Sequence, residues 1–155
     1  MVPENQLLAI QLWEIQITSY QQGKIIFDGV DITNDSKDKR AKAGMLLSFQ
    51  DPLEVPGISL EIFVCSTQQQ VTVERVKLFQ FKKAMEESMD ILNMDHIYAE
   101  RNLNVCFSGG EKKKSEILQL LMLNPKLAIL DETHSGLDVD AGRTVSRGIE
   151  EFQKK

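Results

Sequence analysis

Ser108-Gly109-Gly110-Glu111 places two glycines between a hydroxyl and a carboxylate, an order that suits two kinds of chemistry. S-x-x-E is a capping box, in which serine and glutamate satisfy free N–H groups at the start of a helix. The glycines leave bare backbone there, so a phosphate can approach exposed N–H groups where the helix dipole favours an anion. Further along, the apolar run Leu127-Ala128-Ile129-Leu130 ends in Asp131-Glu132. A buried strand that stops on adjacent acids delivers them to the carboxyl edge, where open α/β sheets bind ligands. One such carboxylate can hold Mg2+, usually through water, while the next orients or deprotonates an attacking water. Each feature has an ordinary reading alone, a well-made helix start or an acidic turn. Ser135-Gly136-Leu137-Asp138 follows after a further short step.

The elements that must position these residues follow from the apolar periodicity. Leu7 to Ile17 reads as a short helix with Leu8, Leu12 and Ile15 on one face, broken at Gln21-Gln22-Gly23. Lys24 to Asp28 reads as a strand, with Gly29 starting a turn. Asn34 to Lys42 is charged and suits a helix capped by Asp35 or Ser36. Met45-Leu46-Leu47-Ser48-Phe49 has the continuous apolar character of a buried parallel strand and ends at Gln50. Asp51-Pro52 and Pro56-Gly57 are expected to stop any regular element.

A helix is expected over Ser59 to Gln69 and another over Lys82 to Asn93, with Val71 to Leu78 left open between helix and strand. Met85, Met89 and Leu92 make one apolar stripe, which reads as packing rather than a cofactor site. The helix opened at Ser108 runs through Ile117, Leu118 and Leu121 to Asn124 and is ended by Pro125. Strand-rich flanks around a helical insertion predict an α/β core carrying a helical subdomain. The expected division is a core from residues 1–50 and 121–155, with a subdomain at 51–120.

Composition narrows the function classes. With 42% hydrophobic and 26% charged residues among 155, neither a disordered chain nor a membrane protein is indicated. No apolar run approaches the roughly 20 residues that span a bilayer, and Met1-Val2-Pro3-Glu4 lacks the basic start of a secretory signal. A cytoplasmic setting is therefore expected. The net charge of -5 argues against a general nucleic-acid binder. Lys112-Lys113-Lys114 is a compact basic run that reads as a solvated helix face. Cys65 and Cys106 lie too far apart for a CxxC motif and read as reduced core or near-core residues. His96 and His134 have no second His or Cys at ligand spacing and read as incidental.

Taken together, the stretches at 108–112, 127–132 and 135–138 resemble the signature motif, Walker B strand and D-loop of ATP-binding-cassette ATPases. Gln50, directly after a buried strand, resembles the Q-loop glutamine of that group. Phe49-Gln50 followed by Val55-Pro56-Gly57-Ile58, Phe107 before the signature, and Gly23-Lys24-Ile25-Ile26-Phe27-Asp28-Gly29 more closely resemble SufC, the ABC ATPase of Suf iron–sulfur cluster assembly. The resemblance implies a partial P-loop ABC ATPase core plus a helical subdomain. Its activity would be ATP hydrolysis with Mg2+, coupled to head-to-tail dimerisation and to remodelling of a SufB–SufD scaffold.

By position, Asp131 and Gln50 would serve Mg2+ and Glu132 would be the catalytic carboxylate. Ser108, Gly109 and Gly110, with Glu111 closing the motif, would contact a γ-phosphate held by the other subunit. Asp138 would be the D-loop aspartate at the dimer interface. Implied partners are SufB, SufD and a second subunit, either a copy of this chain or an intact SufC. Neither nucleic acid nor direct membrane insertion is implied.

The chain also departs from the pattern. No G-x-x-x-x-G-K-[ST] loop occurs in it, and Leu7-Leu8-Ala9 falls just after the place where the family's lysine and Ser/Thr would stand. Asn5-Gln6 supplies neither, and no switch histidine precedes Lys155. Cys106 occupies a small glycine-like position, His134 enters the Walker B to D-loop connection, and Gly142 and Gly148 each cost the following helix about 1 kcal/mol. Without a phosphate cradle the positioning that drives phosphoryl transfer is missing. The missing flanking strands would leave an apolar edge on the Walker B strand open to pairing. The expectation is an ABC ATPase component not competent alone. The alternatives are a non-catalytic scaffold-binding remnant, a hetero-partner of an intact SufC, or the ATP-binding subunit of an ABC transporter.

Overall fold

The computed structural model describes residues 23–48, 52–72, 75–130 and 137–154. The expected helix at Leu7 to Ile17 lies outside them, as do Gln50, Asp131, Glu132 and His134.

β1 (Ile26–Phe27) and β2 (Val30–Asp31) form an antiparallel hairpin, shorter than the strand expected over Lys24 to Asp28. The turn between them puts Asp28 and Gly29 both at positive φ. α1 (Lys37–Lys42) begins after Ser36, with no side-chain cap hydrogen bond, and is a shorter helix than the charged stretch suggested. Its Arg40 is fully buried and donates to the carbonyls of Ile32 and Thr33, tying the hairpin to the rest.

β3 (Met45–Leu47) lies beside β6 (Leu127–Ile129) in parallel, with Met45 opposite Leu127 and Leu47 opposite Ile129. The Ser48 N–H extends the ladder to the Ile129 carbonyl at 2.9 Å. A parallel pair needs a long crossover, and residues 48–126 supply it.

That crossover holds β4 (Val55–Ser59), α2 (Leu60–Val71), α3 (Leu78–Ile91), a 3-10 turn (His96–Ala99), β5 (Asn102–Leu103) and α4 (Gly109–Leu123). β4 corrects the expectation that Pro56-Gly57 would stop regular structure. It pairs antiparallel to β5 at Val55–Leu103 and Ser59–Asn102, with an irregularity between those pairs. Pro56, which has no N–H to give, and Gly57, at φ 87°, fall in the irregularity.

α2 starts one residue after Ser59, whose hydroxyl accepts from Ile62 N–H. α3 begins earlier than expected, at Leu78, and buries Phe81, Met85, Ser88 and Met89 along one face. The Met85–Met89–Leu92 stripe is core, as its period implied.

α4 is the central helix. Ile117, Leu118, Leu120, Leu121 and Met122 are buried, and it packs on α2, α3 and the last helix, α5 (Val139–Gln153). It ends where Asn124 turns left-handed at φ 43°, just before Pro125. α5 buries Ala141, Val145 and Gly148, a spacing of four and three that defines one face.

α4 and α5 touch through small residues. A Cβ on Gly110 would meet Ala141 Cβ at 3.3 Å, and one on Gly148 would meet Ile117 Cγ2 at 2.5 Å and Leu92 Cδ2 at 2.7 Å. Gly110 faces Ala141 and, seven residues on in each helix, Ile117 faces Gly148, so the helices run parallel and in register. Gly148 thus has a packing reason to set against its low helix propensity. No helix among the described residues is long and apolar enough to cross a membrane.

Candidate functional site: a capped glycine turn

Ser108 caps α4 in the reciprocal form the sequence implied. Its hydroxyl accepts from Glu111 N–H at 3.3 Å, and Glu111 Oε2 accepts from Ser108 N–H at 2.7 Å. Between them the two glycines differ. Gly110 is packed against Ala141, whereas a Cβ on Gly109 would meet nothing within 4 Å. Ser108 and Gly109 are exposed. Packing therefore accounts for the missing side chain at Gly110 but not at Gly109, where bare backbone faces open space at a helix N-terminus. That arrangement can accept a phosphate oxygen.

Three residues, of which the sequence reading singled out Phe107 but not Tyr98 or Arg101, hold the turn. Tyr98, at the 3-10 turn, donates its hydroxyl to Glu111 Oε1. The Tyr98 and Phe107 rings meet edge to face at 4.9 Å, and the Arg101 guanidinium lies 4.7 Å and 5.1 Å from their centroids. Burial pushes the Glu111 carboxyl up, but hydrogen bonds from Tyr98 and from Ser108, with the charge of Arg101, hold it below its usual value. The same hydrogen bond to Glu111, with burial, raises the Tyr98 phenol. Only Phe107 had a sequence signal, its place directly before the motif.

The basic run differs from the solvated face expected of it. Lys112 pairs with Glu54 at 2.9 Å, and Lys114 donates to the Asn93 carbonyl at 3.0 Å. Lys113 is buried and pairs at 3.0 Å with Glu116, which also accepts from Ser48. Glu54 and Asn93 lie far off in sequence, 58 and 21 residues away, so composition could not reveal them.

Cys106 is exposed rather than near-core, and its φ of 57° explains why glycine suits the position. Cys65 is half-buried against the core, and both thiols are free. His96 sits 2.8 Å from Asp90.

Asp138 caps α5, accepting from Ala141 N–H at 2.7 Å. Because Ala141 packs on Gly110, the structure brings Asp138 and the glycine turn to one end of two parallel helices. Gln50, Asp131 and Glu132 lie outside the described residues. The strands that lead to them, β3 and β6, end side by side at one edge. Among the described residues no three His, Cys, Asp or Glu side chains group as metal ligands.

The fold is that of an ATP-binding cassette. An ATP-binding cassette solved as a dimer in a post-hydrolysis state, bound to ADP and Pi, superimposes with a TM-score of 0.77. It is 16% identical, and the match covers 97% of this chain and 65% of that one, a likeness of fold alone. The chain belongs to the ABC transporter family, whose sequence profile matches residues 12–135. A probable ABC transporter ATP-binding protein of Streptococcus pyogenes serotype M3 is 45% identical over 136 residues, 86% of this chain and 53% of its own length. A probable ATP-dependent transporter of Synechocystis is 44% identical over 131 residues, 82% of this chain and 51% of its own. The chain spans about half the length of the curated relatives it matches.

Proposed function

We propose that this chain supplies the signature face of an ABC ATPase that closes on ATP as a head-to-tail pair. Ser108, Gly109 and Gly110 would engage the γ-phosphate of a nucleotide held by the other subunit, with Glu111 fixing the turn. Asp138 would lie at the junction between subunits. Asp131 and Gln50 would serve Mg2+, and Glu132 would be the catalytic carboxylate. The division into a core at 1–50 and 121–155 and a subdomain at 51–120 belongs to the same proposal, as does a cytoplasmic setting. The observation that carries the reading is Gly109, exposed and unpacked at the start of a well-capped helix.

Two machines fit. The printed names of the relatives support the ATP-binding subunit of an ABC transporter, the first reading. Suf cluster assembly is the second, supported by the Phe49-Gln50, Val55-Pro56-Gly57 and Phe107 likeness to SufC, with SufB and SufD as partners. In either machine the chain could act as a hetero-partner of an intact subunit, and in the second also as a non-catalytic scaffold binder.

The test is association with an intact ABC ATPase subunit that carries its own P-loop, followed by light scattering with and without MgATP. MgATP-dependent pairing that Ser108→Arg abolishes supports the proposal. Pairing indifferent to nucleotide and to Ser108→Arg overturns it. Co-purification with SufB–SufD, against none with a transport subunit, would decide for the second machine.

A further inference from the structure

A turn built on Ser108-Gly109-Gly110 is permissive backbone, and Gly109 has no side-chain packing to hold it. Contacts from outside must set its place. Tyr98 and Arg101 grip one side. Further contacts come from Ser48, at the end of β3, and from residues 53–55, which enter β4.

Ser48 Oγ donates to Glu116 at 3.0 Å, Glu54 pairs with Lys112 at 2.9 Å, and the Leu53 carbonyl accepts from Asn104 Nδ2 at 2.9 Å. Val55 pairs with Leu103 in the β4–β5 ladder. Ser48 thus meets residue 116, and residues 53 to 55 meet residues between 103 and 112, on both sides of the glycine turn in sequence.

The individual links differ in kind. Glu116 is shared between Ser48 and buried Lys113, so it is held at the helix side. Asn104, itself buried and at φ 59°, spends its amide on the Leu53 carbonyl. Lys112 is the link within one residue of the Ser108–Glu111 turn. Its side chain is 19% exposed against 50% for Glu54, so the lysine is drawn against the protein surface by its partner. An isolated exposed pair contributes little. This one closes a lattice whose other members are already fixed, so its entropic cost is small.

We propose that Lys112 is a positioning residue. Through Glu54 it fastens the glycine turn to the residues that enter β4, and that tie sets how Ser108 and Gly109 present themselves to a phosphate. The inference rests on the proposed role of the turn. Lys112 itself need not touch the nucleotide.

Charge reversal separates a specific tether from general surface charge. Glu54→Lys, Lys112→Glu and the double exchange are compared by 15N relaxation of the Gly109 and Gly110 amides, and by MgATP-dependent pairing with an intact ABC ATPase subunit. Each single change should lower both order parameters and weaken pairing about fivefold or more, and the exchange should restore both. A common unfolding midpoint across the series shows that the fold is not what changed. Unaltered glycine order in the single variants, or an exchange that restores nothing, overturns the tether. If wild type fails to pair while the relaxation responds as expected, the functional reading of the turn falls and the tether stands.

Discussion

Gly148→Ala should destabilise the protein although alanine is the better helix former. The new Cβ would lie 2.5 Å from Ile117 Cγ2 and 2.7 Å from Leu92 Cδ2, against an optimum of about 3.5–4.0 Å between carbons. Leu92 Cδ2 ends a flexible side chain and can swing. Ile117 Cγ2 cannot, because a β-branched residue in a helix has one strongly preferred χ1, and Ile117 is 1% exposed with no space to enter. α4 and α5 must therefore part by about 1 Å. Overpacking of this kind costs about 1–3 kcal/mol, and the gain in helix propensity returns about 1 kcal/mol. The net loss is about 0–2 kcal/mol. Urea unfolding followed by circular dichroism should show a lower midpoint with an unchanged m-value. Because the same interface seats Ala141 on Gly110, amide shifts at Ser108–Glu111 should move as well. A midpoint above that of wild type, with unmoved amide shifts at Ser108–Glu111, would refute the register deduced for the two helices.

Other substitutions probe the turn itself. Cys106→Gly should stabilise by about 0.5–1 kcal/mol, since left-handed backbone costs an ordinary residue about 1–2 kcal/mol and glycine loses part of that gain in the unfolded chain. Thermal unfolding, at about 2–4 °C per kcal/mol for a chain of this size, would read it, and a lower midpoint would count against the positive φ. Gly109→Ala should leave stability within about 0.5 kcal/mol but abolish MgATP-dependent pairing, because its methyl would fill the open space above the turn; unchanged pairing would remove that space from the site. Glu111 has a lowered folded pKa, so its contribution is complete above the ordinary value of 4.5 and is lost as pH falls through the folded value. Acid titration of stability should show this loss in wild type and a smaller one in Tyr98→Phe, and identical profiles would deny the hydrogen bond its role.

How much could be read beforehand depended on how local the cause was. The capping box at Ser108 and Glu111 is a contact between neighbours in sequence, and the structure forms it as written. The Met85–Met89 stripe and the end of α4 at Asn124 and Pro125 are equally local, as is the apolar run of β3 that pairs with β6. Pro56 and Gly57 misled because a strand that pairs only at its two ends tolerates residues that break a regular ladder. Lys112 and Lys113 misled for another reason. Glu54 lies 58 residues before Lys112, and although Glu116 is three residues from Lys113, the packing that buries that pair comes from elsewhere in the fold. Cys106 looked like a departure from glycine, and that mismatch was itself the sign of the backbone angle. The expectations placed on Gln50, Asp131 and Glu132 lie outside the described residues.

The parallel register of α4 and α5 gives the site a logic that no single motif holds. Ser108 and Asp138 cap the two helices at the same end, and Gly110 against Ala141 fixes their separation in the first turn. A shift of the glycine turn is therefore felt at the Asp138 cap within one close contact. The turn is also bound through Lys112 and Asn104 to Glu54 and Leu53, just ahead of β4, while β6, beside β3, leads toward Asp131 and Glu132. A phosphate drawn to Gly109 would meet backbone whose place is set by both neighbours. Cores and interfaces packed this closely tend to switch between discrete arrangements rather than deform smoothly. Local backbone geometry makes the glycine turn able to bind; the lacing around it would let that binding be felt elsewhere.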